Sequence, residues 1–186
     1  MKSFLELASV FGAAACLSAC VAVPCGGRIQ PTYAQGQVDY ACSMVAGSRA
    51  TPCPDSFPVH AWMIPNMTGG YAGCVAAFPY KSLAVTSSPG AVATLRWKIN
   101  STFSGLVFDT SRNGIDITVS PGGPPVSTVY SNPNTTPKMA SWDAVMPPMS
   151  HYTFNHTPMV GYPDPVNPSQ LLPCVAIDPL VTNDAN

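Results

Sequence analysis

The segment Ala91-Val92-Ala93-Thr94-Leu95-Arg96-Trp97-Lys98-Ile99-Asn100 alternates strictly: Ala91, Ala93, Leu95, Trp97 and Ile99 fall on one side, and Thr94, Arg96, Lys98 and Asn100 on the other. A helix would repeat its apolar positions every three to four residues, so a period of two predicts a β-strand with one buried face. Trp97 lies on the apolar side and is expected in the core. Trp142 shares parity with Ala140, Ala144 and Met146 and reads the same way, whereas Trp62, beside His60, is left undetermined.

Working outward, Asn113-Gly114 lies between Leu106-Val107-Phe108 and the alternating Ile115-Asp116-Ile117-Thr118-Val119. Asn-Gly accommodates the two positive-φ positions of a type I′ turn, which predicts a β-hairpin here. Further strands are expected at 59–64, 75–80, 83–86, 126–130, 140–146, 151–155 and 175–177. Turn clusters such as 120–125 and 131–134 separate them. Composition agrees, because the 21 Pro and 14 Gly punctuate the chain and the only glutamate is Glu6. Short strands at this spacing predict an all-β domain, an antiparallel β-sandwich of immunoglobulin-like type, with an open β-barrel as the alternative.

Only 17 residues are charged, 8 Lys or Arg and 9 Asp or Glu, and the formal net charge is −1. No basic run is present, so the electrostatic footprint that phosphate backbones require is missing and nucleic acid is excluded as a partner. The length is near that of one domain.

At the N-terminus, Lys2 precedes an apolar stretch from Leu7 to Leu17, the arrangement of a secretory signal. Within it, Leu17-Ser18-Ala19-Cys20 resembles the lipobox of bacterial lipoprotein precursors, where small residues precede a cysteine that is acylated and becomes the new N-terminus. The resemblance covers these four residues and the apolar stretch, and the mature part resembles no recognised family. It implies residues 1–19 as signal peptide, lipidation at Cys20, membrane attachment through that lipid, and an outer-membrane or cell-surface location. Residues 20–37, without periodicity, would form a tether, 38–181 the domain, and 182–186 a C-terminal tail.

Cysteine arithmetic leaves two readings open. With Cys16 removed and Cys20 lipidated, Cys25, Cys42, Cys53, Cys74 and Cys174 remain, giving two disulfides and one thiol. With Cys20 kept as a thiol, six cysteines could pair fully. Spacing does not give the connectivity. Four N-glycosylation sequons, at Asn66, Asn100, Asn134 and Asn155, support the alternative of a secreted, extracellular, disulfide-bonded glycoprotein.

Met146 to Met159 contains His151 and His156 among three methionines, a ligand chemistry suited to copper, with Met149 and His151 as the candidate pair. If 151–155 is a strand, Tyr152, Phe154 and His156 share one face and Met149, His151 and Thr153 the other. Tyr152 and Phe154 are then expected in the core and the histidines at the surface. Asp109 to Gly114 matches the first half of a calcium-binding loop, but Ser120 stands where a bidentate Glu is needed. No nucleophile elbow, zinc-protease, phosphate-loop or dinucleotide motif occurs. The expected function is a non-catalytic binding or structural module that packs against other envelope proteins, few charges opposing association. A copper-binding protein is the alternative.

Overall fold

A computed structural model of the protein describes residues 38–145, 151–177 and 180–185. Its strands are β1 (Val38–Ser43), β2 (Phe57–Pro65), β3 (Tyr71–Ala77), β4 (Tyr80–Ser87), β5 (Val92–Asn100), β6 (Val107–Phe108) and β7 (Ile115–Val119). After a one-turn helix, α1 (Val126–Val129), follow β8 (Tyr130–Thr136), β9 (Met139–Val145), β10 (His151–Pro158), β11 (Val160–Pro163), β12 (Leu171–Pro173), β13 (Val175–Ile177) and β14 (Leu180–Ala185). The fold is all-β. Alternation in β5 is as expected: Leu95, Trp97 and Ile99 are buried, while Arg96, Lys98 and Asn100 are exposed.

Three sheets form, in the orders β1-β4-β14-β10-β7, β12-β11-β6 and β13-β3-β2-β5-β9-β8. The two larger ones meet through inward side chains. Phe57 of β2 lies edge-on to Tyr80 of β4 at 6.3 Å, Trp97 of β5 faces His156 of β10 at 5.1 Å, and Tyr130 of β8 meets Phe154 of β10 at 5.0 Å between ring centroids. Phe57, Val59, Leu83, Leu95, Ile115 and Phe154 fill the space between them.

A purely antiparallel arrangement is not what forms. β1 with β4, β4 with β14, β2 with β5, and β3 with β13 pair in parallel. Parallel neighbours need a crossover connection, and here the chain supplies it by passing through another sheet before returning. Between β1 and β4, for example, it runs through β2 and β3 of the six-stranded sheet.

The hairpin expected at Asn113-Gly114 is also corrected. Both residues have the positive φ that the sequence implied, 56° and 71°, but the flanking strands separate: β6 pairs with β11 and β7 with β10. Asp109 redirects the chain by accepting from the Ser111 N–H, which starts a single 3-10 turn over Thr110–Arg112. Met159 closes the corner. Its N–H donates to the Gly114 carbonyl at 2.9 Å and its carbonyl accepts from the Asp109 N–H at 2.8 Å. The strand pair β10–β11 is thus bent at Met159, one arm in each of two sheets.

Three further expectations change. Residues 126–129 form α1, not a strand, because Pro125 caps the turn and its carbonyl accepts from the Thr128 N–H. The expected turn at 131–134 is a bulge inside β8: the register skips between Ser131 and Asn134, with Asn132 at φ 51° and Pro133 where no N–H is required. On this edge strand the bulge blunts the sheet against further pairing. Finally, residues 182–185, read as part of a tail, continue β14, which pairs with β10 on one side and β4 on the other.

Candidate functional site

Among the described residues two disulfides are formed, Cys42–Cys53 and Cys74–Cys174, separated by 11 and 100 residues in sequence. The first closes the loop between β1 and β2; the second ties the strand β3 to the segment entering β13. Cys20, Cys25 and Met149 lie outside the described residues. Among the described residues no helix is long and apolar enough to cross a membrane.

His156 is placed differently from the surface position expected of it. Tyr152, Phe154 and His156 share the inward face of β10, as parity and the expected burial of Phe154 required, and His156 is fully buried with Phe154. Its Nε2 lies 3.1 Å from the Tyr130 hydroxyl, and burial pushes its pKa down to about 3. The imidazole is therefore neutral at physiological pH. His151 opens the same strand, exposed. Five residues of extended chain, about 17 Å, separate the two histidines, so they cannot share an ion. Among the described residues no group of three or more His, Cys, Asp or Glu is assembled that could hold a metal ion.

Concavities among the described residues include two of note. One, of about 360 Å³, lies beneath the Cys42–Cys53 loop and is lined by Ser43, Met44, Asp55, Thr94 and Arg96 among others. The other, of about 230 Å³, lies at the Met159 corner and includes Asp109, Arg112 and Cys174. Neither is lined by a histidine, and Asp109 already accepts from the Ser111 amide and hydroxyl. No acid–base pair is gathered in either.

The outer face of the six-stranded sheet is the more informative surface. Inward positions of β2 are Phe57, Val59 and Ala61, with Met63 packed on the core. His60, Trp62 and Ile64 therefore point outward. Register extends this face across three strands: Trp62 is opposite Val75, which is opposite Val175; His60 is opposite Ala77, which is opposite Ile177; and Ile64 is opposite Gly73. Neither Trp62, Ile64, Val75, Val175 nor Ile177 belongs to the core cluster or to the side chains packed on it. Val175 is exposed, Trp62, Ile64, Val75 and Ile177 are half-buried and Ala77 between them is buried, so this is an apolar face set apart from the core and only partly open to solvent, the kind of surface that marks an interaction site. Burial holds the His60 pKa below its ordinary value, which keeps the centre of this face uncharged at neutral pH.

The same apolar surface continues to the tip of the β2–β3 hairpin. Met67 is fully exposed there and Tyr71 is 51% exposed, Tyr71 standing edge-on to Phe103 at 5.4 Å. The tip is braced by Asn66, whose Oδ1 accepts from the Thr68 N–H, the Thr68 hydroxyl and the Gly70 N–H. On the opposite flank, β5 contributes Arg96, Lys98 and Asn100, with Lys98 beside Pro58 and Asn100 beside His60. This face carries no alternation by which a sequence would reveal it. The signal was there in β2 and β3, where apolar residues occupy both parities.

Of the sequon asparagines, Asn66, Asn100 and Asn134 are exposed, and Asn155 is half-buried in β10. No protein-family model and no curated protein matches the sequence.

Proposed function

We propose that the chain is an exported cell-envelope protein, lipid-anchored at Cys20, whose two-layer β-sandwich body is a non-catalytic binding or structural module. The observation that carries the binding part is the outer face of the six-stranded sheet, where Trp62, Ile64, Val75, Val175 and Ile177 form an apolar surface separate from the core. Two disulfides within one small body support export, because such bonds persist in oxidising compartments.

The test is the intact mass of the protein from its native host, before and after thiol alkylation. A chain starting at Cys20 and carrying a diacylglycerol and a fatty acid supports the anchor. A chain with hexose increments at the exposed sequons replaces the lipoprotein with the secreted glycoprotein. A chain that begins at Met1 with all its cysteines alkylated overturns export altogether.

A further inference from the structure

We propose that an internal water molecule bridges His156, Trp97 and Thr135 where the two larger sheets meet. This site is independent of the binding role read from the outer face. The observation behind it is a group of polar atoms that the fold seals away. Among the described residues, His156 Nδ1, Trp97 Nε1 and Thr135 Oγ1 are buried and have no hydrogen-bond partner. His156 and Trp97 are 0% exposed as whole residues, and Thr135 is half-buried. Native interiors leave few such atoms unsatisfied, because a buried donor or acceptor without a partner forfeits the bonds it made to water in the unfolded chain.

The three side chains belong to one place in the fold. Trp97 of β5 faces His156 of β10 with ring centroids 5.1 Å apart, so the two rings touch across the layers. Thr135 of β8 is opposite Ala140 of β9, which is opposite Trp97. Residues opposite one another on neighbouring strands share a face, so Thr135 stands in the same inward row as Trp97, with the small Ala140 between them. Trp142 Nε1 and Ser87 Oγ are also buried without partners, but they stand in other rows, opposite Leu95 and Ala185.

The chemistry of the atoms selects water. An indole N–H only donates, a neutral imidazole has one donor and one acceptor nitrogen, and a hydroxyl does both. An ion fits poorly: no charged side chain is among the buried residues to balance it, and no group of three or more His, Cys, Asp or Glu that could hold a metal is present among the described residues. A larger molecule would displace the buried Ile117, opposite His156, or Leu95 and Phe154 along the strands. Water instead accepts from the Trp97 N–H and donates to His156 Nδ1 and Thr135 Oγ1, three bonds, the usual number for a buried water. Because Nδ1 then accepts, the imidazole proton sits on Nε2 and donates to the Tyr130 hydroxyl oxygen, 3.1 Å away. The other tautomer would aim two donors at the water and leave one of its hydrogens without an acceptor.

The test is magnetic resonance on the full protein. In the unsubstituted chain, the Trp97 indole N–H should cross-relax with a water bound for longer than the protein tumbles, and nitrogen-15 shifts should place the His156 proton on Nε2. Water oxygen-17 relaxation should then count one fewer long-lived water in Trp97→Phe, which keeps an aromatic ring and loses the donor. Thr135→Val, similar in volume but without the hydroxyl, should speed the exchange of that water by about three- to tenfold, the effect of one hydrogen bond. An indole with no water contact, or an imidazole proton on Nδ1, would overturn the bridge in the unsubstituted protein, whether or not the variants fold. An unchanged water count in folded Trp97→Phe would overturn it too, and so would an unchanged exchange rate in Thr135→Val.

Discussion

The Tyr130 hydroxyl and His156 Nε2 lie 3.1 Å apart in the core, joining the edge strand β8 of one sheet to the inner strand β10 of the other. Trp97 closes the group from β5, 5.1 Å from the imidazole. Buried polar groups persist where they are hydrogen-bonded, and this contact links the two sheets through a largely apolar interior.

His156 should make the protein acid-sensitive. Its pKa lies near 3 in the folded protein, pushed down by burial, and near 6.5 in the unfolded chain. Between those values the unfolded state binds more protons than the folded one, so stability is complete above about pH 6.5 and falls as pH drops towards 3. The slope expected from this one group is about 1.4 kcal/mol per pH unit. Urea unfolding at a series of pH values should show it, with a flatter profile in His156→Phe. An unchanged slope in that variant would assign the acid sensitivity elsewhere. Tyr130→Phe, which leaves Nε2 without its hydroxyl partner, should cost about 1–3 kcal/mol at neutral pH.

The two disulfides should differ in worth. Cys42–Cys53 closes a short loop and Cys74–Cys174 one of 100 residues. In the chain-entropy account, crosslinks of these lengths stabilise by about 3 and about 5 kcal/mol, respectively. Cys74→Ser with Cys174→Ser should therefore lower the unfolding free energy more than Cys42→Ser with Cys53→Ser. It should also loosen the parallel pairing of β13 with β3, the strand pair that carries Val175 on the outer face. Equal losses from the two pairs would contradict the loop-length argument, and amide exchange in Val175–Ile177 would report the local effect.

The fold class was legible wherever one face of a strand is buried and the other is wet. In β5 the alternation from Leu95 to Asn100 is reproduced residue by residue, and Trp97 is buried as its parity required. What the sequence did not reveal is which strand pairs with which. Asn113 and Gly114 carry the positive φ values of a tight turn, yet the partner of β7 is β10, some forty residues on, because Asp109 and Met159 turn the chain between sheets. His156 was paired correctly with Phe154, whose face was expected inward, and was still expected at the surface because an ionisable side chain is seldom fully buried without a partner; the Tyr130 hydroxyl supplies one here. The outer face escaped for a different reason. Where both faces are apolar, as along β2 and β3, alternation disappears and the strand reads as fully buried.

Gly114 is the residue at which that corner is most sensitive. Its φ of 71° is costly for any side chain, and a Cβ there would lie 2.8 Å from the Cβ of Ala140 and 2.8 Å from Cγ2 of Thr135. Both neighbours belong to the six-stranded sheet, on β9 and β8, so the strain would act between the layers. Gly114→Ala combines a left-handed penalty of about 1–2 kcal/mol with an overpacking cost of about 1–3 kcal/mol. Gly90 separates the two contributions, since it has a similar φ of 69° but open space where its Cβ would be. Gly90→Ala should therefore show the backbone cost alone. In thermal or urea unfolding, Gly114→Ala should be the more destabilised variant by the overpacking difference. If the two substitutions cost the same, Gly114 is not in contact with Thr135 and Ala140, and the corner at Met159 does not pack the layers together as described.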